Sequence, residues 1–173
     1  VYVRRFERAA AHRAAILDAV GKAEALTGVR LDPALVAAVA ALESDNTPGV
    51  WPQDTGTAQG LVHGSMQTTD VTLVSLNRRY GTGFNAWNVR TPHNGYLAGA
   101  LTLAGNVRRR GGSVPLALAD YLGWGEAGDK NGTTYRTYVP AVMAMWQVYR
   151  ATGIFAPMPE APVATNGSGM PLS

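Results

Sequence analysis

Pro33-Ala-Leu-Val-Ala-Ala-Val-Ala-Ala-Leu-Glu43-Ser44 decides how this chain is read. Nine consecutive apolar residues, Ala34 to Leu42, separate the proline from the glutamate. A helix with that composition has no polar face to give to solvent, so it belongs inside the molecule. Asp32 suits the N-cap, and Pro33 suits the first helical position, where a missing N–H costs nothing. Helical spacing puts Glu43 on the same side as Leu35, Val36 and Val39. Burial disfavours the charged carboxylate and raises its pKa toward neutrality, as a general acid requires. A glutamate closing a helix is more often solvated. The remaining motifs decide between these readings.

Working outward, 173 residues with 46% hydrophobic content can bury one full core, which sets a single domain as the expectation. Abundant alanine, with glycines gathered between periodic segments, points to a mainly α fold. The net charge of +3 and sequence pI of about 9.4 suit an acidic partner such as a nucleic acid, an anionic lipid or a bacterial wall. The arginines are scattered except for Arg108-Arg109-Arg110, which precedes Gly111-Gly112 and is placed to complement a helix C-terminus. With no nucleic-acid motif beside the charge, no nucleic-acid partner is expected.

Absence of cysteine excludes disulfides, thiol catalysis and thiolate metal sites, yet is compatible with life outside the cytoplasm. His12, His63 and His93 lack ligand spacing, so no metal is expected. Gly81-Thr82-Gly83 and Gly56-Thr57 lack the lysine and strand–helix context of a phosphate loop. No apolar run reaches membrane-spanning length, and no secretory signal pattern is read, so no membrane insertion is expected. The first residue, Val1, already falls in a helical pattern, and the expectation is a piece of a larger or processed polypeptide.

Along the chain, one helix is predicted over Tyr2–Leu26, with Phe6, Ala10, Ile16, Leu17, Val20 and Ala23 as its apolar stripe and Gly28 as its stop. After the buried helix Pro33–Ser44, the segment Asp45–Gln67 holds two prolines, four glycines and six Asp, Asn or Gln residues. It reads as irregular, with some β character, and a loop of that length is usually functional. Asp70 is expected to cap a helix Val71–Tyr80 ended by Gly81. Thr91-Pro92 opens another helix, stopped at Gly111, and Ser113 is expected to cap Val114–Leu122. Thr137 is expected to cap a last helix, Tyr138–Thr152, with Pro140 in its first turn and Trp146 in the core. Residues 157–173 turn to Pro, Gly, Ser, Thr and Asn and read as a tail or linker.

Four motifs stand in order: Glu43-Ser44, Gly64-Ser65-Met66-Gln67, Ala117-Leu118-Ala119-Asp120-Tyr121 and Tyr138-Val139. In this the chain resembles the soluble lytic transglycosylase family, the goose-lysozyme-like branch of the lysozyme superfamily. That family has Glu-Ser at a helix end, a Gly-Leu-Met-Gln segment, an Ala-Leu-Ala-x-Tyr-Asn run and a later Tyr-Val pair. The resemblance covers roughly Leu35 to Tyr149. It implies a mainly α, lysozyme-like single domain over residues 1–156, with an N-terminal helix in 1–30 and a catalytic core in 31–153.

By resemblance Glu43 is the catalytic acid/base. Ser44, Gly64, Ser65, Met66, Gln67, Tyr121, Trp124 and Tyr138 bind substrate, with Met66 and Gln67 lining the cleft and the tyrosines near the reacting sugar. The chain departs from the pattern at Ser65, where the family has Leu, and at Leu122, where it has Asn. Trp124 offers a stacking plane in compensation, and Asn94 fits the family's Asn-Ile-x-x-Gly element only approximately. The implied partner is peptidoglycan, the implied location extracytoplasmic, and no cofactor is implied.

The implied reaction cleaves the β-1,4 bond between N-acetylmuramic acid and N-acetylglucosamine and leaves a 1,6-anhydro end. A single carboxyl group suffices when the sugar's own N-acetyl group assists, and Glu43 is the one of 12 acidic residues in convincingly apolar surroundings. Two alternatives stay open. One is a hydrolysing goose-type muramidase in which Asp45 or Asp54 holds the water. The other is a non-catalytic glycan-binding or structural module of a larger assembly such as a phage tail. Trp51 and Trp87 are further candidates for stacking on sugars.

Overall fold

The computed structural model describes residues 2–122 and 133–156 and is mainly helical, with one small sheet. Its helices are α1 (Tyr2–Ala11), α2 (Arg13–Thr27), α3 (Pro33–Ser44), α4 (Asp70–Tyr80), α5 (Pro92–Arg109), α6 (Val114–Tyr121) and α7 (Thr133–Ala151). A short 3-10 turn, Asn88–Arg90, precedes α5.

The apolar run takes the central place. Every residue of α3 from Ala34 to Ala41 is buried, and α7, α2, α5 and α1 all pack against it. Leu35, Val36 and Val39 are almost wholly removed from water, each worth about 1.5–3 kcal/mol. The expected cap is present: Asp32 Oδ1 accepts from the Ala34 N–H at 2.9 Å, with Pro33 in the first turn. The other carboxylate oxygen accepts from Trp146 Nε1 at 2.8 Å. Trp146 is half-buried and packs against the core as expected, with its indole N–H paired to Asp32.

The helix ends in two left-handed residues, Asp45 and Asn46. Asn46 turns inward and is fully buried. Its amide donates to the Ala37 carbonyl at 3.3 Å and to Tyr149 Oη at 3.2 Å, while its oxygen accepts from Tyr96 at 3.1 Å. One side chain thus joins α3, α5 and α7, and its polar atoms are paired as burial demands.

The single N-terminal helix breaks at His12, whose N–H is shared between the Arg8 and Ala9 carbonyls at 3.2 Å each. The break resets the apolar stripe. Ala9 is buried and Ala10 exposed in α1, while Ala15, Ile16, Ala19, Val20 and Ala23 are buried in α2. Gly28 closes α2 in the left-handed conformation as expected.

Three antiparallel strands follow α3: β1 (Gln53–Asp54), β2 (Leu61–His63) and β3 (Thr68–Thr69), with Gln53 opposite Val62 and Val62 opposite Thr69. Thr69, rather than Asp70, caps α4 by accepting from the Thr72 N–H at 3.2 Å. Asp70 instead reaches back to the sheet, accepting from the Leu61 N–H at 2.8 Å and from His63 Nε2 at 2.7 Å. Its carboxyl is held below the usual range, chiefly by the Leu61 N–H.

Ser113 makes no side-chain cap on α6. Arg109 and Arg110 bind Asp120 of α6 at 3.1 and 2.7 Å, so two members of the arginine triplet clamp α5 to α6 rather than merely complement a helix end. The last helix begins at Thr133, not Tyr138, and Pro140 lies inside it. The proline is tolerated because it and Arg136, whose carbonyl loses a donor, both lie on the exposed side. Trp124 and the 157–173 tail lie outside the described residues.

Candidate active site

Glu43 is the next-to-last residue of α3, where the buried helix reaches the surface, and its side chain is half-buried. Tyr138 Oη of α7 donates to Glu43 Oε1 at 2.6 Å. Burial pushes the Glu43 carboxyl up to about 6, against the smaller opposing pull of the Tyr138 hydroxyl, which favours the charged form. Burial, and then the neighbouring Glu43 charge, push the hydroxyls of Tyr138 and Tyr121 above their ordinary value, so both remain donors. Tyr121 Oη donates to the Met66 carbonyl at 2.7 Å.

The turn Gly64–Gln67 is fixed to the end of α3 by Ser44, whose hydroxyl donates to the Ser65 carbonyl at 2.6 Å. Gln67, in left-handed backbone at φ 49°, bonds from its amide to the Gly64 carbonyl at 2.9 Å. Ser44, Met66 and Tyr121 thereby lock α3, the turn and α6 into one frame around Glu43.

Three members of the predicted substrate-binding set are buried. Met66 does not line the cleft, because its side chain is fully buried in the hole left by Gly99, where any Cβ would collide with it. Ser65 is likewise buried, and Gly64 is buried as a backbone device. A Cβ on Gly64 would lie 2.5 Å from the Val89 carbonyl oxygen, at φ +71°. Gly64→Ala is therefore expected to destabilise the protein by about 2–4 kcal/mol, from overpacking and left-handed backbone together, as chemical denaturation would measure.

Glu43, Gln67 and Tyr121 share a cavity of about 350 Å³ with Gln53, Asp54, Thr55, Val62 and Leu122. The β1–β2 hairpin thus supplies a wall that the motifs did not announce; its only sequence signal is the polar, Thr- and Gln-rich composition. Leu122 stands in the cavity where the family pattern has an amide. A second groove, about 770 Å³, adjoins the first and shares Thr55, Tyr121 and Leu122 with it.

The acidic alternatives separate here. Asp45 is drawn away to Arg5 at 2.6 Å and to Arg8, which explains why it does not line the Glu43 cavity. Asp54 does line it, and its Oδ1 accepts from the Gly56 N–H at 2.9 Å. Trp51 and Trp87 are 73% and 77% exposed and line neither the cavity nor the groove, so they do not flank Glu43. Arg90 lies over the Trp51 ring, 4.6 Å from its centroid. Asn94 bonds to the Asn88 carbonyl at 3.2 Å and serves the turn before α5.

No family profile matches the chain, and no curated protein matches it.

Proposed function

We propose that this chain is a lysozyme-like domain that cleaves peptidoglycan between N-acetylmuramic acid and N-acetylglucosamine without water. The observation carrying this reading is a half-buried Glu43 with a pKa near 6, hydrogen-bonded to Tyr138 at 2.6 Å and open to a cavity walled by Gln67 and Tyr121. In the proposed step, protonated Glu43 gives its proton to the glycosidic oxygen as the bond to C1 of the muramic acid breaks. The sugar's N-acetyl oxygen stabilises the electron-poor C1. The Glu43 carboxylate then takes the proton of the C6 hydroxyl while O6 bonds to C1, giving the 1,6-anhydro ring and regenerating the acid. Tyr138 holds one carboxyl oxygen, which leaves the other to carry the proton toward substrate. The peptidoglycan partner and an extracytoplasmic place of action belong to the same proposal.

One observation favours a second reading. Asp54 lines the same cavity as Glu43, and a second carboxylate can hold a water for hydrolysis. Mass spectrometry of fragments released from purified sacculi separates the two. Anhydro ends are expected; reducing ends, heavier by one water, would assign the reaction to hydrolysis, and no released fragments would remove both readings.

A further inference from the structure

We infer that Trp51 and Trp87 form a second glycan-binding platform, outside the Glu43 cavity, which holds a polysaccharide strand without taking part in its cleavage. Both indoles stand largely in solvent and forgo the burial that a tryptophan normally gains. Neither lines the Glu43 cavity or the groove beside it, so the platform stands whether or not the chain cleaves what it holds. Arg90 joins the two residues. Its guanidinium covers one face of Trp51, and its backbone N–H donates to the Trp87 carbonyl at 3.3 Å.

Each ring is mounted on a fixed support despite its exposure. Asn85 Oδ1 accepts from the N–H groups of Trp87 and Asn88 at 2.9 Å each, and Asn88 Oδ1 accepts from the Asn85 N–H at 2.9 Å. Asn88 Nδ2 donates to the Gly83 carbonyl at 2.9 Å, which closes the turn carrying Trp87. Arg90 pins the other ring, its Nη2 donating to the Gly49 carbonyl at 3.3 Å. Rings set in place beforehand lose little freedom on binding. Their surroundings choose the ligand. Val50 is half-buried and Phe84 and Val89 are buried, so these loops supply no apolar core of the kind a protein interface places around its anchors. The exposed neighbours in sequence, Gln53, Asn85 and Thr91, carry amides and a hydroxyl. A pyranose ring offers an apolar C–H face to an indole and hydroxyls to such polar neighbours. Trp51 lies two residues before Gln53 of the cavity wall, about 7 Å of chain at most, so a strand leaving the cavity can reach it. The competing explanation is that Trp51 and Arg90 merely fasten the loop after α3 to the turn before α5.

The test uses Glu43→Gln protein, so that strands are held and not cut, with chitotetraose and with purified sacculi. Chitotetraose is expected to shift the indole N–H signals of Trp51 and Trp87 in NMR titrations. Trp51→Ala and Trp87→Ala should each weaken binding to sacculi about tenfold, as loss of an aromatic anchor does. Trp51→Phe and Trp87→Phe, which keep an apolar ring, should retain part of the affinity, and they decide the matter where an alanine variant fails to fold. Arg90→Gln should also weaken binding, by freeing the Trp51 ring. Unmoved indole signals, or sacculus binding unchanged in every variant, overturn the inference. A lower melting temperature with unchanged binding assigns Trp51 and Arg90 to the loop instead. Self-association abolished by the same substitutions would give the rings to a second copy of the chain and likewise overturn it. Cleavage by the wild type is measured separately: platform binding without cleavage removes only the Glu43 reading, and cleavage without platform binding removes only the platform.

Discussion

Glu43→Gln is expected to lower wall-cleaving turnover by about 10²–10⁴-fold while leaving a protein at least as stable as the wild type. The exchange is near-isosteric and preserves an acceptor for Tyr138, but no proton remains to give the leaving oxygen. Stability moves the other way for an electrostatic reason. A carboxyl raised to about 6 binds its proton more tightly in the folded than in the unfolded chain. The wild type therefore loses stability as pH rises from about 4.5 to about 6 and stays at the lower level above that. Glutamine has no such loss, so above pH 7 the variant should be more stable by up to about 2 kcal/mol, the equivalent of the shift. Near pH 4 the advantage should vanish, because the wild-type carboxyl is protonated there too. Denaturation at the two pH values and fragment release from sacculi check both halves. An active variant rejects Glu43 as the acid. An inactive one with equal stability at both pH values rejects the buried-carboxylate explanation.

How far the site is legible from sequence depends on the range of the interactions that build it. The placement of α3 follows from composition, since a run with no polar face can only be internal. The cap at Asp32 and the left-handed stop at Gly28 follow as directly, because both are local backbone problems with local answers. Glu43 and Tyr138 were recognisable as members of separate motifs. Their 2.6 Å bond spans 95 residues and depends on α7 crossing the end of α3, which periodicity does not encode. Met66 shows the opposite failure. The resemblance places it in the cleft beside Gln67, but the absent side chain of Gly99, far along the chain, opens a hole in the core that methionine fills. Asn46 was unreadable for a related reason: in sequence it is one more polar loop residue, and only three converging helices make it a buried tie. The strands of two or three residues are too short to display an alternating pattern.

Tyr138→Phe should separate orientation from acidity at the same carboxyl. The hydroxyl favours the charged form of Glu43, opposing the larger effect of burial. Its removal should move the carboxyl pKa further up from about 6, and the descending alkaline limb of the activity profile should move up with it, because the acid must be protonated to act. Turnover at the new optimum should nonetheless fall about ten- to a hundredfold, the equivalent of a hydrogen bond to a charged group of about 1.5–3 kcal/mol. The cause is loss of aim: with Oε1 untethered, the carboxyl can rotate away from the leaving oxygen, and orientation of a catalytic group is itself part of the barrier. The two effects have opposite signs at neutral pH, where a higher pKa supplies more protonated acid, so a single rate at pH 7 would understate both. A full pH profile together with NMR titration of the Glu43 carboxyl carbon resolves them. An unmoved pKa with an unchanged rate per folded molecule, and a lower melting temperature, would make Tyr138 a packing residue whose hydroxyl merely finds the nearest acceptor.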